Sequence, residues 1–181
     1  YDLKRDCFVD FTGCGEHEDH YGYITVLPDA VWLWGRGQGC RFIQYRDGKF
    51  ASKVFNAKDG QLQSDNVQFV LQDSARRVWI GTDKGLYCWK DNVLQCADKS
   101  HSFQRACSFK GKTCFITVDG EIRTADKEGR LSLAAKLPDV SYGLDLPGNL
   151  AVGSQWVIFT SEGSFVFDTE SNMLKPSPSE W

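Results

Sequence analysis

The sequence predicts an all-β chain assembled from repeated units of four antiparallel strands. Three observations carry that prediction. Short runs rich in β-branched and aromatic residues, such as residues 22–27, 67–72 and 154–160, are bounded by Gly, Asp, Asn, Ser or Pro. Turn signals such as Asp47-Gly48, Asp91-Asn92, Asp119-Gly120 and Lys127-Glu128-Gly129 arrive at roughly the 8 to 12 residue spacing of strands. No stretch of about 12 residues repeats apolar positions at three and four with a cap at either end, so helical periodicity is nearly absent.

The clearest unit begins at Ser64. It reads as a first strand at 67–72, a polar turn at 73–77, a second strand at 78–81, the tight turn Thr82-Asp83-Lys84-Gly85 and a third strand at 86–89. A fourth strand, 93–96, follows the Asp91-Asn92 turn. Upstream the same order is filled by 24–27, Pro28-Asp29, 31–35, 36–39, 40–45, Asp47-Gly48 and 49–55. Downstream, strands at 106–109, 113–118, 120–125 and 131–135 make one copy, and 143–146, 155–160, 164–168 and 173–175 another. A glycine opens each third strand, at Gly39, Gly85, Gly120 and Gly163, where a tight turn favours positive φ. Their spacing of roughly 40 residues is the period of four-stranded propeller blades. The expected fold is therefore a β-propeller fragment of about four four-stranded antiparallel blades, at 21–57, 64–99, 103–135 and 141–177, with residues 1–12 ending a preceding blade.

Composition narrows the partners. A chain of 181 residues, 41% hydrophobic, buries a core without needing disulfides or metals. The net charge is −3 and no Lys/Arg block stands out, which argues against nucleic acid and anionic membrane as partners. No apolar run reaches the roughly 18 to 20 residues of a bilayer-spanning helix, so direct membrane insertion by this segment is not expected. The seven cysteines form no CxxC pair. Cys107 and Cys114 would face each other across a Lys110-Gly111 hairpin turn, as a bridge or as two buried thiols.

The string Asp65-Asn66-Val67 to Gln72-Asp73, followed by Val78-Trp79-Ile80-Gly81-Thr82-Asp83-Lys84-Gly85-Leu86-Tyr87, resembles the two-component regulator propeller repeat. The upstream copy, with 31–39, Tyr45 and Asp47-Gly48-Lys49-Phe50, supports the resemblance; the copies around Phe115 and Ile158 lack the Trp-Ile-Gly core and follow by register. The resemblance implies the periplasmic sensor region of a Bacteroides-type hybrid two-component histidine kinase. Such regions carry propellers that usually have seven blades, detect oligosaccharides and signal to a kinase beyond the inner membrane. It further implies a piece of a larger ring, with the rest of its own propeller or a second copy as partner.

Trp79 and one of Trp32 or Trp34 are expected to fill the space between neighbouring blades. The alternative is a sugar-stacking platform, for which the more exposed member of the Trp32/Trp34 pair is the best candidate, and Trp32 is carried in the candidate set. Turns between second and third strands and the linkers between blades share one face, where propellers commonly bind. Arg36, Gln38, Asp83, Lys84, Asp119, Ser161 and Glu162 belong to the turns, and His17, His20, Asp59, Gln61, His101 and Tyr142 to the linkers. The candidate ligand-binding set is Trp32, Arg36, Gln38, Asp83, Lys84, His101 and Asp119. Cys14, Glu16, His17, Glu18, Asp19 and His20 form the densest group of metal-ligand types, but they match no established spacing and read as an acidic linker. No GxSxG elbow, phosphate loop, EF-hand loop or GxGxxG stands in the chain, so no catalytic residue, metal or cofactor is expected. A sensor domain is the leading reading; a protein-interaction scaffold and a carbohydrate-active propeller enzyme with paired loop carboxylates are the alternatives.

Overall fold

The computed structural model describes residues 21–109, 111–138, 149–160 and 163–177. The expectations for residues 1–12 and for the Cys14 to His20 group, and the candidates Tyr142, Ser161 and Glu162, lie outside them.

Sixteen strands among the described residues form four sheets of four antiparallel strands, each in simple sequential order. Sheet one holds β1 (Tyr23–Leu27), β2 (Ala30–Gly35), β3 (Gly39–Arg46) and β4 (Lys49–Phe55). Sheet two holds β5 (Val67–Gln72), β6 (Val78–Thr82), β7 (Gly85–Lys90) and β8 (Val93–Asp98). Sheet three holds β9 (Phe103–Phe109), β10 (Lys112–Thr117), β11 (Glu121–Ala125) and β12 (Leu131–Lys136). Sheet four holds β13 (Asn149–Val152), β14 (Gln155–Thr160), β15 (Gly163–Asp168) and β16 (Met173–Pro176). The first strand of sheet four departs from the sequence reading, which set it at 143–146. Val152 pairs with Gln155 across Gly153, whose φ of 64° closes a two-residue hairpin and draws the strand up against it.

Successive sheets pack face to face through three apolar layers. Between sheets one and two lie Trp32, Phe55, Val70, Val78, Ile80 and Trp89. Between sheets two and three lie Phe69, Trp79, Leu86, Phe103 and Phe115. Cys107, Cys114, Ile116, Ile122, Trp156, Ile158 and Phe167 fill the third layer. An inner sheet is covered on both faces, which is why β6 reads Val-Trp-Ile-Gly-Thr without a polar alternation and is buried throughout. First strands lie side by side, with β5 touching both β1 and β9, and β9 touching β13. Fourth strands form the outer edge; β8 is exposed or half-buried along its length, the protected-edge pattern of a propeller.

Trp32 and Trp79 occupy equivalent places. Each is the third- or second-position residue of a second strand, pairs with the third strand at Phe42 and Cys88 respectively, and packs toward the following sheet. Ile80, Phe115 and Ile158 are a second equivalent set, each facing the preceding sheet. Gly81 explains the third residue of the Trp-Ile-Gly core: it pairs with Phe69, and a Cβ there would fall 2.2 Å from the Phe69 ring. The glycines opening the third strands have positive φ, from 67° at Gly39 to 142° at Gly85. Cys107 and Cys114 are directly opposed in the ladder; they are buried, unbridged thiols.

Candidate functional site

The turns between second and third strands and the inter-blade linkers are tied to one another by main-chain hydrogen bonds. Gly39 N donates to Asp65 O at 2.9 Å, Asp83 N to Asn66 O at 3.3 Å, Val118 N to Ser102 O at 2.8 Å, and Leu137 N to Gly120 O at 2.9 Å. These bonds tie the first two turns to the linker between their blades, and the third turn to the linkers on either side of it.

A side-chain group on the turn-and-linker face, held by several hydrogen bonds, is centred on His101. Asp98, at the end of β8, accepts the Ser100 and His101 amides on Oδ1 at 2.7 and 3.1 Å. Its Oδ2 stands 2.9 Å from His101 Nδ1. A carboxylate only accepts, so Nδ1 carries the proton toward Asp98 and the neutral ring offers Nε2 as an acceptor. Arg123 Nη2 lies 3.1 Å from that nitrogen. The same guanidinium grips Glu121 through Nε at 2.9 Å and Nη2 at 2.7 Å, a two-point pair on one side of β11. Glu121 is 3.7 Å from His101 Nε2, and Arg123 Nη1 is 3.8 Å from Asp98. The four side chains thus link the second blade's end to the third blade.

Electrostatics follow the geometry. Burial alone would raise the Asp98 carboxyl, but the Ser100 amide and the His101 ring outweigh it and hold it below the ordinary value. Asp119 is lowered chiefly by the Thr117 hydroxyl, which donates to it at 2.5 Å.

The other candidates are placed as follows. Asp83 accepts from Asn66 Nδ2 at 2.9 Å through one oxygen, while its second oxygen is buried without a hydrogen-bond partner. Lys84 is exposed beside it. Arg36 is exposed and Gln38 half-buried on the first blade's turn, on the same face. Trp32 is corrected: it is fully buried, stacked against Phe55 at 5.6 Å and edge-on to Trp89 at 6.4 Å, so it offers no ring face for a sugar. Its neighbour Trp34 is half-buried, stacked on Tyr23 at 4.4 Å, and donates its Nε1 to Thr25. Sequence reasoning missed Asp98, Glu121 and Arg123. The available signals were the Asp-x-Ser-His string, in which Asp98 caps two later amides, and the two-residue spacing that puts Glu121 and Arg123 on one side of a strand.

Chemically, this group presents a guanidinium, carboxylates and an oriented imidazole within a few ångströms, all held by partners. Such an array suits recognition of hydroxyl-rich ligands by several directed hydrogen bonds. Among the described residues no cluster of His, Cys, Asp and Glu could hold a metal ion, and no helix is long and apolar enough to cross a membrane.

No protein-family model and no curated protein matches the chain. Solved structures do resemble it. The extracellular domain of the one component system BT4673 from B. thetaiotaomicron matches 84% of this chain with a TM-score of 0.64 at 13% identity. The extracellular domain of the hybrid two component system BT3049 from the same organism matches 90% with a TM-score of 0.59 at 16% identity. Virginiamycin B lyase from Staphylococcus aureus matches 92% with a TM-score of 0.63 at 10% identity. The chain spans 21% of the BT4673 domain, 25% of the BT3049 domain and 58% of the lyase. At these identities the likeness is one of fold, and it agrees with the strand order and packing described above: the described residues form four consecutive blades of a β-propeller.

Proposed function

We propose that the chain is part of an extracytoplasmic, periplasmic sensor domain of a two-component histidine kinase, and that its turn-and-linker face receives an oligosaccharide. The observation that carries this reading is the His101, Asp98, Arg123 and Glu121 group, a paired and oriented polar array at the junction of two blades. The likeness of fold to extracellular domains of one component and hybrid two component systems supports it. Because the group spans a blade junction, an occupant contacting both sides would favour one relative setting of the blades and so shift a pre-existing equilibrium, with a dimer partner as the relay. The direct test is calorimetric titration of the full chain, and of the complete propeller that contains it, with a panel of plant and host oligosaccharides. One class should bind, and Arg123→Ala should weaken it by about tenfold or more. Absence of heat for every member sinks the reading.

A carbohydrate-active enzyme is a second reading, favoured by one observation: His101 Nε2 and Glu121 lie 3.7 Å apart on a fold shared with a lyase. Turnover of a bound oligosaccharide, abolished by Glu121→Gln, would establish it. Binding without turnover favours the sensor.

A further inference from the structure

Two neighbouring blade junctions end differently at the turns between first and second strands. Between the second and third blades, the five-residue turn 73–77 folds a plug over Trp79. Asp73 accepts the Trp79 indole N–H at 2.9 Å and the Arg77 Nε at 2.6 Å, and Arg77 reaches on to the carbonyls of Asp126 and Lys127 in the next blade, each at 3.0 Å. Between the first and second blades the corresponding turn is only Pro28-Asp29, because Leu27 pairs directly with Ala30. A turn that short folds no plug, and a cleft of about 300 Å³ opens instead, on the propeller face opposite the His101 group.

Three cations line this cleft, each from a different element: Arg46 at the end of β3, Arg76 in the turn before β6 and Lys90 at the end of β7. All three are exposed, so their charged heads are within reach of a ligand. Among the described residues none of the three side chains forms a hydrogen bond or an ion pair, although Asp29 and Asp91 also line the cleft. Arg77 at the plugged junction is the contrast, with a partner on each of its three nitrogens. Arg76 is set on a fixed turn: its amide donates to the Asp73 carbonyl at 3.0 Å, and Asp73 Oδ1 takes the Ala75 and Arg77 amides, each at 2.9 Å. The half-buried Phe42 ring adds an apolar wall. Like charges gathered round one small cleft attract an anion into it.

We infer that this cleft is a second ligand site, which takes a phosphate or sulfate monoester of monosaccharide size on Arg46, Arg76 and Lys90. One guanidinium fork is enough for a planar carboxylate, whereas three cationic heads from three elements suit an ester group with three terminal oxygens. The volume is at the lower end for ligand pockets and sets the size, and Phe42 offers a surface to the ring that carries the ester. The site is independent of the oligosaccharide reading.

The experiment is calorimetric titration of the full chain with D-glucose 6-phosphate, D-glucose 6-sulfate and, as the neutral counterpart, D-glucose. Saturable binding of at least one ester is expected, and the tighter of the two names the source; glucose should be weaker by about tenfold or more, the worth of one hydrogen bond to a charged group. Arg46→Gln and Arg76→Asn should each weaken the ester by a similar factor, Asn being chosen because it tolerates the Arg76 φ of 60°. Lys175→Gln removes an exposed charge on the fourth blade, away from the cleft, and should leave the affinity within about twofold. No binding of either ester at millimolar concentration overturns the inference. So does unchanged affinity in both arginine variants, or a loss in Lys175→Gln as large as theirs, which would mark general charge attraction in place of a site.

Discussion

Asp73, Arg77 and Trp79 form a buried ionic lock between two blades, with Asp73 and Arg77 each less than a tenth exposed. Asp73 also accepts the Ala75 and Arg77 amides, and Arg77 lies over the Trp79 ring at 5.3 Å, so every strong group in the lock has a partner. Such a pair is costly to break on one side and mild to replace as a whole, since a lone buried charge has no compensation. Asp73→Ala should therefore lower unfolding free energy by about 3–5 kcal/mol in urea denaturation, whereas Asp73→Leu with Arg77→Met should cost clearly less. Equal losses would show that the ion pair is not what holds the turn. Gly81 tests packing at the same scale. Gly81→Ala should cost about 1–3 kcal/mol by overpacking against Phe69, and Phe69→Leu should recover part of it in a double-mutant cycle.

At the scale of the element, the hairpins and linkers rest on aspartates that cap their own turns. Asp98 caps the linker before β9; Asp119 is held by Thr117 in the turn before β11; Asp168 accepts the Glu170 and Ser171 amides in the turn after β15. The amide and hydroxyl of Ser171, together with Ser154, bring the Asp168 carboxyl down to about 2. All three carboxyls are lower in the fold than in the unfolded chain, so the unfolded chain binds more protons in this range and stability rises with pH across it. Their contribution is complete above the ordinary carboxylate value of 3.8 and is lost as pH falls through the folded values, near 2 for Asp168. Urea midpoints measured from about pH 5 down to pH 2 should fall steadily, and Asp168→Asn should flatten the curve. A slope unchanged by that substitution would mean the acid sensitivity arises elsewhere.

Across the whole molecule, the two end blades each present an apolar face with no blade against it among the described residues. On sheet one, Ile24 and Val26 are 61% and 71% exposed, pointing away from the second blade, toward which Thr25 bonds and Leu27 packs. On sheet four, Val152 and Met173 are 60% and 49% exposed. Apolar sheet faces of this kind call for a partner, and more blades of the same ring or a second copy would supply it. The chain alone should self-associate with rising concentration in light scattering, and Val26→Lys should shift it toward monomer. A wild-type monomer at high concentration would mean that these faces are already covered.

Strand character, repeat period and turn positions could be read along the chain because each depends on residues near in sequence: β-branched runs, Asp-Gly and Asp-Asn pairs, and a glycine at each left-handed position. The opposition of Cys107 and Cys114 was legible for the same reason, since a two-residue hairpin sets its own register. The first strand of the fourth blade was misplaced because its neighbourhood offers two apolar runs, and only pairing across Gly153 chooses between them. Local pattern determined that Trp32, Trp34 and Trp79 stand on second strands. Only tertiary packing decided which ring is buried, that Asp98, His101, Glu121 and Arg123 meet, and that one tryptophan is plugged while its equivalent borders a cleft. Those outcomes depend on contacts between blades, whose distances no spacing along the chain encodes.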